Sequence, residues 1–179
     1  VMVAMEELGR GMVLEPLAHA FIASSVLTQY APAELQAAWL ARIASGGALV
    51  VLAQQERKAR YALEKCEAKS APAQSGYTLT ATKNIVPAGD QADAYLVPAQ
   101  LDGQIALFLV ERSASGVSAQ GYATQDGSRA AEVQFANASA TLITKDGLAA
   151  LELAVDTGIA SLCAEAVGVM DKAVALTVD

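Results

Sequence analysis

The sequence is poor in the residues that carry self-contained chemistry. Its 179 residues include one histidine, two cysteines, one tryptophan and 12 lysines or arginines. Cys66 and Cys163 stand far apart, with no C-x-x-C and no Cys/His cluster, so a zinc site is not expected. They read as free thiols of a reducing, cytoplasmic protein. The 19 acidic residues outnumber the basic ones and leave a net charge of -7. That balance argues against a nucleic-acid surface, which wants a basic stripe for phosphates. There is no G-x-G-x-x-G, no P-loop, no G-x-S-x-G and no H-E-x-x-H. No signal peptide is recognisable, and no apolar run reads as long enough for membrane insertion. Asn137-Ala138-Ser139 matches a glycosylation sequon, which carries no meaning without a secretory signal.

Single polar residues add little. His19, on a helical segment, reads as a packing or surface residue. Glu6 and Glu7 are adjacent on a helix and point in different directions, so they read as a solvated edge. Glu165 lies among apolar residues. It reads as a carboxylate at the edge of a helix bundle, with a buried acid of raised pKa as the alternative. The segment Gln54–Tyr61 reads as a charged loop after a buried strand.

What the chain does have is apolar pattern, at 54% hydrophobic residues. That suffices for a sizeable core and excludes disorder. Three helices are expected first: about Val1–Val13; a second after Pro16, with Leu17, Phe21 and Ile22 on one face; and a third from Pro32, with Leu35, Trp39, Leu40 and Ile43 as its stripe. Ser45-Gly46-Gly47 ends the third. From Ala48 to about Ile143 the signal is β. "ALVVLAQ" reads as a buried strand, and "GYTLTATKNIV", "DAYLVPAQ", "QIALFLVE", "GVSAQGYA" and "AAEVQFAN" follow. Asp102-Gly103, Ser115-Gly116 and Asp126-Gly127 mark turns between them. From Asp146, a plausible N-cap, helical spacing runs through Leu148, Leu151, Val155, Ile159, Leu162 and Val169.

The fold class is therefore α+β: helices, then an antiparallel β-barrel-like middle domain, then one long helix. The expected divisions are 1–47, 48–145 and 146–179. A helix of about 30 residues, roughly 45 Å long, normally needs bundle partners. Val1-Met2-Val3 already lies inside an apolar helical pattern, and Ala175–Asp179 has no stop signal, so the sequence reads as a segment of a longer chain. Its uncovered apolar helix predicts self-association.

Four phrases, in order, resemble the acyl-CoA dehydrogenases. "MEELGRGMVLEPL" is similar to a late helix of that family's N-terminal domain. "AWLARIASGGALVVLAQQE" is similar to the passage into its β-domain. "SGYTLTATKNIVPAGDQADAYLV" is similar to its G-Y-x-x-x-G-x-K segment followed by A-D-x-x-L-V, with Ala81 in place of the second glycine. "AEAVGVMDKAVALTVD" is similar to the first helix of its C-terminal bundle. "MEELGRGMVLEPL" and "QERKARY" look closest to the pimeloyl-CoA and steroid-side-chain type subgroup, whose unlike subunits often pair.

The resemblance implies an FAD-dependent enzyme that introduces an α,β double bond into an acyl-CoA substrate and passes electrons to an electron-transferring flavoprotein. It also implies a homo- or hetero-oligomer. The implied flavin contacts are Ala53, Gln54 and Gln55 after the first strand, and Ile85, Val86 and Pro87 at the second. Arg60 and Tyr61 are the implied substrate contacts. The family's usual W-I-T is replaced by Ile85-Val86-Pro87, and only Glu56 survives of T-E-P-x-x-G-S-D. The usual catalytic base would fall beyond Asp179. A minority of the family carries it on the first bundle helix, where this chain has Gly158, so no catalytic residue is assigned. The competing readings are a dehydrogenase-like subunit with a degenerate flavin site that supports a catalytic partner, and an unrelated binding module.

Overall fold

A computed structural model describes residues 1–178. Three helices open the chain: α1 (Met2–Gly11), α2 (Leu17–Tyr30) and α3 (Ala33–Ala44). Seven strands follow: β1 (Val50–Leu52), β2 (Lys69–Pro72), β3 (Tyr77–Pro87), β4 (Ala94–Leu101), β5 (Gln104–Glu111), β6 (Val117–Ala123) and β7 (Arg129–Thr144). One helix, α4 (Gly147–Val178), completes the described chain. α1 stops where Met12 turns left-handed, and the N–H groups of Met12 and Val13 return to the carbonyls of Gly9 and Leu8. Pro16 and Pro32 precede α2 and α3 and lack N–H groups that a helix start leaves unpaired anyway.

The strands close on themselves. β4 pairs with β2, β2 with β3, β3 with β7, β7 with β5, and β5 with β4 again. β6 lies beside β7, and β1 shares the β2 edge of β4. Most pairings are antiparallel, as the turn spacing predicts, but β1 and β2 both run parallel to β4. β2 escaped the sequence reading. Three of its four residues are exposed, so it shows no alternation to read. It nonetheless bridges β3 and β4 and closes the ring.

β4 and β5 are buried on both faces, which is why they read as unbroken apolar runs. Tyr95, Val97, Ala99, Phe108 and Val110 fill the barrel, with Val51, Leu79, Val133 and Phe135. Ala94, Leu96, Leu107 and Leu109 face outward into a second core with Ile22, Val26, Leu27, Trp39, Ile43, Leu151 and Ala154 from the helices. The period of two along a strand thus supplies both cores from the same residues.

α4 crosses α1 at very short range. A Cβ on Gly168 would strike the carbonyl oxygen of Glu6, and one on Gly9 would strike that of Glu165. Arg10, bonded to Glu6 on its own helix at 2.9 Å, reinforces the crossing through Asp171 of α4 at 2.8 Å. Contrary to the sequence expectation, α4 is long and apolar enough to cross a membrane by length and composition. Seven of its 32 residues, Gly147, Ala150, Leu151, Ala154, Ser161, Ala164 and Gly168, are buried within the protein, while Ile159, Leu162, Met170, Val174 and Leu176 are exposed. Gly168→Ala should lower stability by about 1–3 kcal/mol through overpacking, despite alanine's better helix propensity. Urea unfolding of the variant against the parent measures this.

Candidate functional site

The site is organised around the end of β3. Register against β7 slips between Lys83 and Val86, and Ile85 takes the strain with φ 50°. A β-branched residue in that conformation is a true outlier. Its side chain is 57% exposed, so it gains little packing in return. Ala88 follows with φ 50°, and its N–H bonds the Arg129 carbonyl.

One buried ion pair holds the neighbouring loop. Lys83 Nζ, fully buried, donates to Glu56 Oε1 at 2.7 Å and to the Pro98 carbonyl at 3.0 Å. The Glu56 carboxylate also accepts the N–H groups of Glu67 and Ala68. Burial alone pushes the Glu56 carboxyl up, but the Lys83 ammonium and the two N–H donors outweigh it and hold the carboxyl below its ordinary value. Cys66 Sγ lies beside the same carboxylate at 3.8 Å, and burial, above all, pushes its thiol up. The loop between β1 and β2 is thereby tied into the barrel at its start and near its end.

Two cavities flank Ile85. The larger, about 660 Å³, lies between the β3 end, the β6–β7 turn and helices α1, α2 and α4. Met5, Ile22, Ile85, Pro87 and Leu162 supply apolar wall, and Gly127 in the turn packs on Leu14. The smaller, about 290 Å³, is lined by Gln55, Arg57, Arg60, Tyr61, Asn84 and Ile85. Glu132 stands behind it, bonded to Asn84 at 2.8 Å and Arg57 at 3.2 Å.

The residues singled out from sequence therefore separate into groups. Gln55, Arg60, Tyr61 and Ile85 meet around the smaller cavity. Ile85 and Pro87 form a shelf on the larger one. Ala53 and Val86 turn their side chains into the barrel core. The Ala53 N–H is spent on the Leu96 carbonyl, and the Gln54 and Gln55 carbonyls accept from Lys83 and from the Asn84 N–H. Gly158 lines the larger cleft, where an added Cβ would sit 3.3 Å from Ile22 Cδ1. His19 and Glu165 line the same cleft. Sequence reading gave neither a role, because nothing in a helical pattern marks which face looks into a cavity. Burial holds the His19 imidazole below its ordinary pKa.

This architecture, a β-barrel between helices with a cleft at a strand end, is that of the acyl-CoA dehydrogenases. No family model matches the chain. It is 32% identical over 103 residues to the acyl-CoA dehydrogenase FadE27 of Mycobacterium tuberculosis, an alignment covering 58% of this chain and 26% of that protein. A variant of the Tcur3481-Tcur3483 steroid acyl-CoA dehydrogenase superposes with a TM-score of 0.86 at 27% identity, over 98% of this chain and 47% of that one. A glutaryl-CoA dehydrogenase from Mycobacterium smegmatis in complex with FADH2 shares the fold with a TM-score of 0.84 at 21% identity, over 93% and 46% of the two chains. The chain is similar to acyl-CoA dehydrogenases and spans less than half the length of each of these proteins.

Glu56→Gln, which leaves Lys83 buried without its counter-charge, should cost about 3–5 kcal/mol. Because the folded-state carboxyl is depressed, its stabilisation is complete above the ordinary glutamate value. It is lost as pH falls through the lower folded value. Urea midpoints at neutral and acid pH should therefore converge between parent and variant as the pH drops. Ile85→Gly should act oppositely and raise stability by about 1 kcal/mol by relieving the left-handed strain.

Proposed function

We propose that this chain is part of an FAD-dependent acyl-CoA dehydrogenase, and that the end of β3 forms the shelf on which flavin and the acyl group meet. The observation that carries this reading is the shelf itself. Ile85, Pro87 and Ala88 border an apolar cleft of about 660 Å³, a size suited to a small organic ligand. The Gln55 amide, the Arg60 guanidinium and the Tyr61 hydroxyl stand on the other side of Ile85 and offer donors for the heteroatom edge of a flat ring. The chemistry FAD supplies in this family is acceptance of the β-hydrogen as hydride, with the electrons passed on to an electron-transferring flavoprotein. The chain's own part is to seat the acyl group against the apolar wall and exclude water from it. With Gly158 at the helix position that a minority of the family uses for the base, the proton acceptor comes from elsewhere.

One observation favours a second reading, a supporting subunit with a degenerate flavin site. Four backbone N–H groups near the shelf are already committed. Ala53 donates to Leu96, Asn84 to Gln55, Ala88 to Arg129 and Gly89 to Val86, while Pro87 has none. Each missing neutral hydrogen bond weakens flavin binding by about 1 kcal/mol, so a partner subunit would have to make up the difference. A visible absorbance spectrum of the intact protein, alone and co-expressed with a partner subunit, tests both. Yellow protein that bleaches with acyl-CoA is the expected result. Colour only in the co-expressed preparation selects the supporting role, and no flavin in either rejects the redox reading.

A further inference from the structure

The larger cleft is not uniformly apolar. Some of its polar lining groups are spoken for, and Glu15 and Gln91 are solvent-exposed. Arg129 is held by Asp90, and Asp126 accepts from the Thr124 hydroxyl and the Ser128 N–H. Two groups on the helical wall differ. Among the described residues, neither the His19 imidazole nor the Glu165 carboxylate has a hydrogen-bond partner elsewhere in the chain, yet both line the cavity. They come from separate helices, α2 and α4, which already meet where Ile22 faces Gly158. On α4 the cavity-lining residues are Gly158, Leu162 and Glu165, spaced four and three apart, so one helical stripe runs from bare backbone through an apolar side chain to a carboxylate. Glu165 is fixed in place because its backbone carbonyl abuts Gly9 of α1.

Polar groups that converge in a mostly apolar cavity normally fix the orientation of a ligand. An imidazole with one N–H and a carboxylate complement a hydroxyl, which can accept from the first and donate to the second. We infer that His19 and Glu165 form a specificity-determining pair that recognises a hydroxyl group carried by an otherwise apolar acyl ligand in this cleft. The pair positions the ligand and takes no part in bond-breaking. A hydroxylated ligand keeps its hydrogen bonds on entering, whereas an unsubstituted one strips water from both groups without replacement.

This inference rests on the reading of the cleft as an acyl site, and the test separates the two. Isothermal titration calorimetry on the intact protein would compare octanoyl-, decanoyl- and dodecanoyl-CoA with their ω-hydroxylated counterparts, so that three chain lengths sample the reach of the pair. At least one hydroxylated chain should bind about five- to tenfold tighter than its plain partner. Glu165→Leu and His19→Phe, each verified as folded by circular dichroism, should each reduce that preference and together abolish it, because plain chains then lose no unreplaced hydration and their affinity rises to that of the hydroxylated ones. If plain chains bind and no hydroxylated one is preferred, or if the preference survives both substitutions, the pair has no such role and the acyl site stands. If no acyl-CoA binds at all, both readings fall.

Discussion

The pairing of Lys83 with Glu56 is the constraint on which the site depends. An ammonium with no exposed surface inside a barrel demands a counter-charge, and the only economical source is a carboxylate carried in on a loop. That loop has little else to hold it. Between β1 and β2 it forms no strand, and Arg60 adopts a left-handed conformation in it. Glu56 binds the loop's far end as well, through the N–H groups of Glu67 and Ala68, so one carboxylate closes the segment on itself and on the barrel. Gln55, Arg60 and Tyr61 owe their position beside Ile85 to this anchor.

The second constraint is close packing between layers. β4 and β5 give one face to the barrel and the other to the helices, so the two cores cannot be separated without exposing one of them. The cleft lies at this junction. Its walls are set by helices that approach the sheet and each other closely, and the bare backbones of Gly9 and Gly168 let α1 and α4 touch. A larger residue at either position would move Met5, Leu162 and Glu165 together, since all three belong to these two helices and line the cleft.

Much of this was legible in the sequence. The apolar stripe of Trp39 and Ile43, the proline and glycine punctuation and the unbroken runs of β4 and β5 are local signals that report burial directly. Glu56 and Lys83 were both visible as residues of family motifs, but their pairing was not. A lysine in an alternating strand looks solvent-facing, and only the closed ring shows that Lys83 points inward. β2 was missed for a related reason. Its residues face solvent, and its identity as a strand comes from hydrogen bonds to β3 and β4 rather than from any pattern of its own.

The order of elements, the two-sided burial of the central strands and the family resemblance are all written in residue spacing along the chain. The tertiary structure alone decided which polar residues share a space. Ile85 became the ridge between two cavities because a register slip turned it outward. His19 and Glu165, 146 positions apart in the sequence, came to line one cleft because α2 and α4 both pack beside it. Proximity of that kind depends on how elements pack, and no local pattern encodes it.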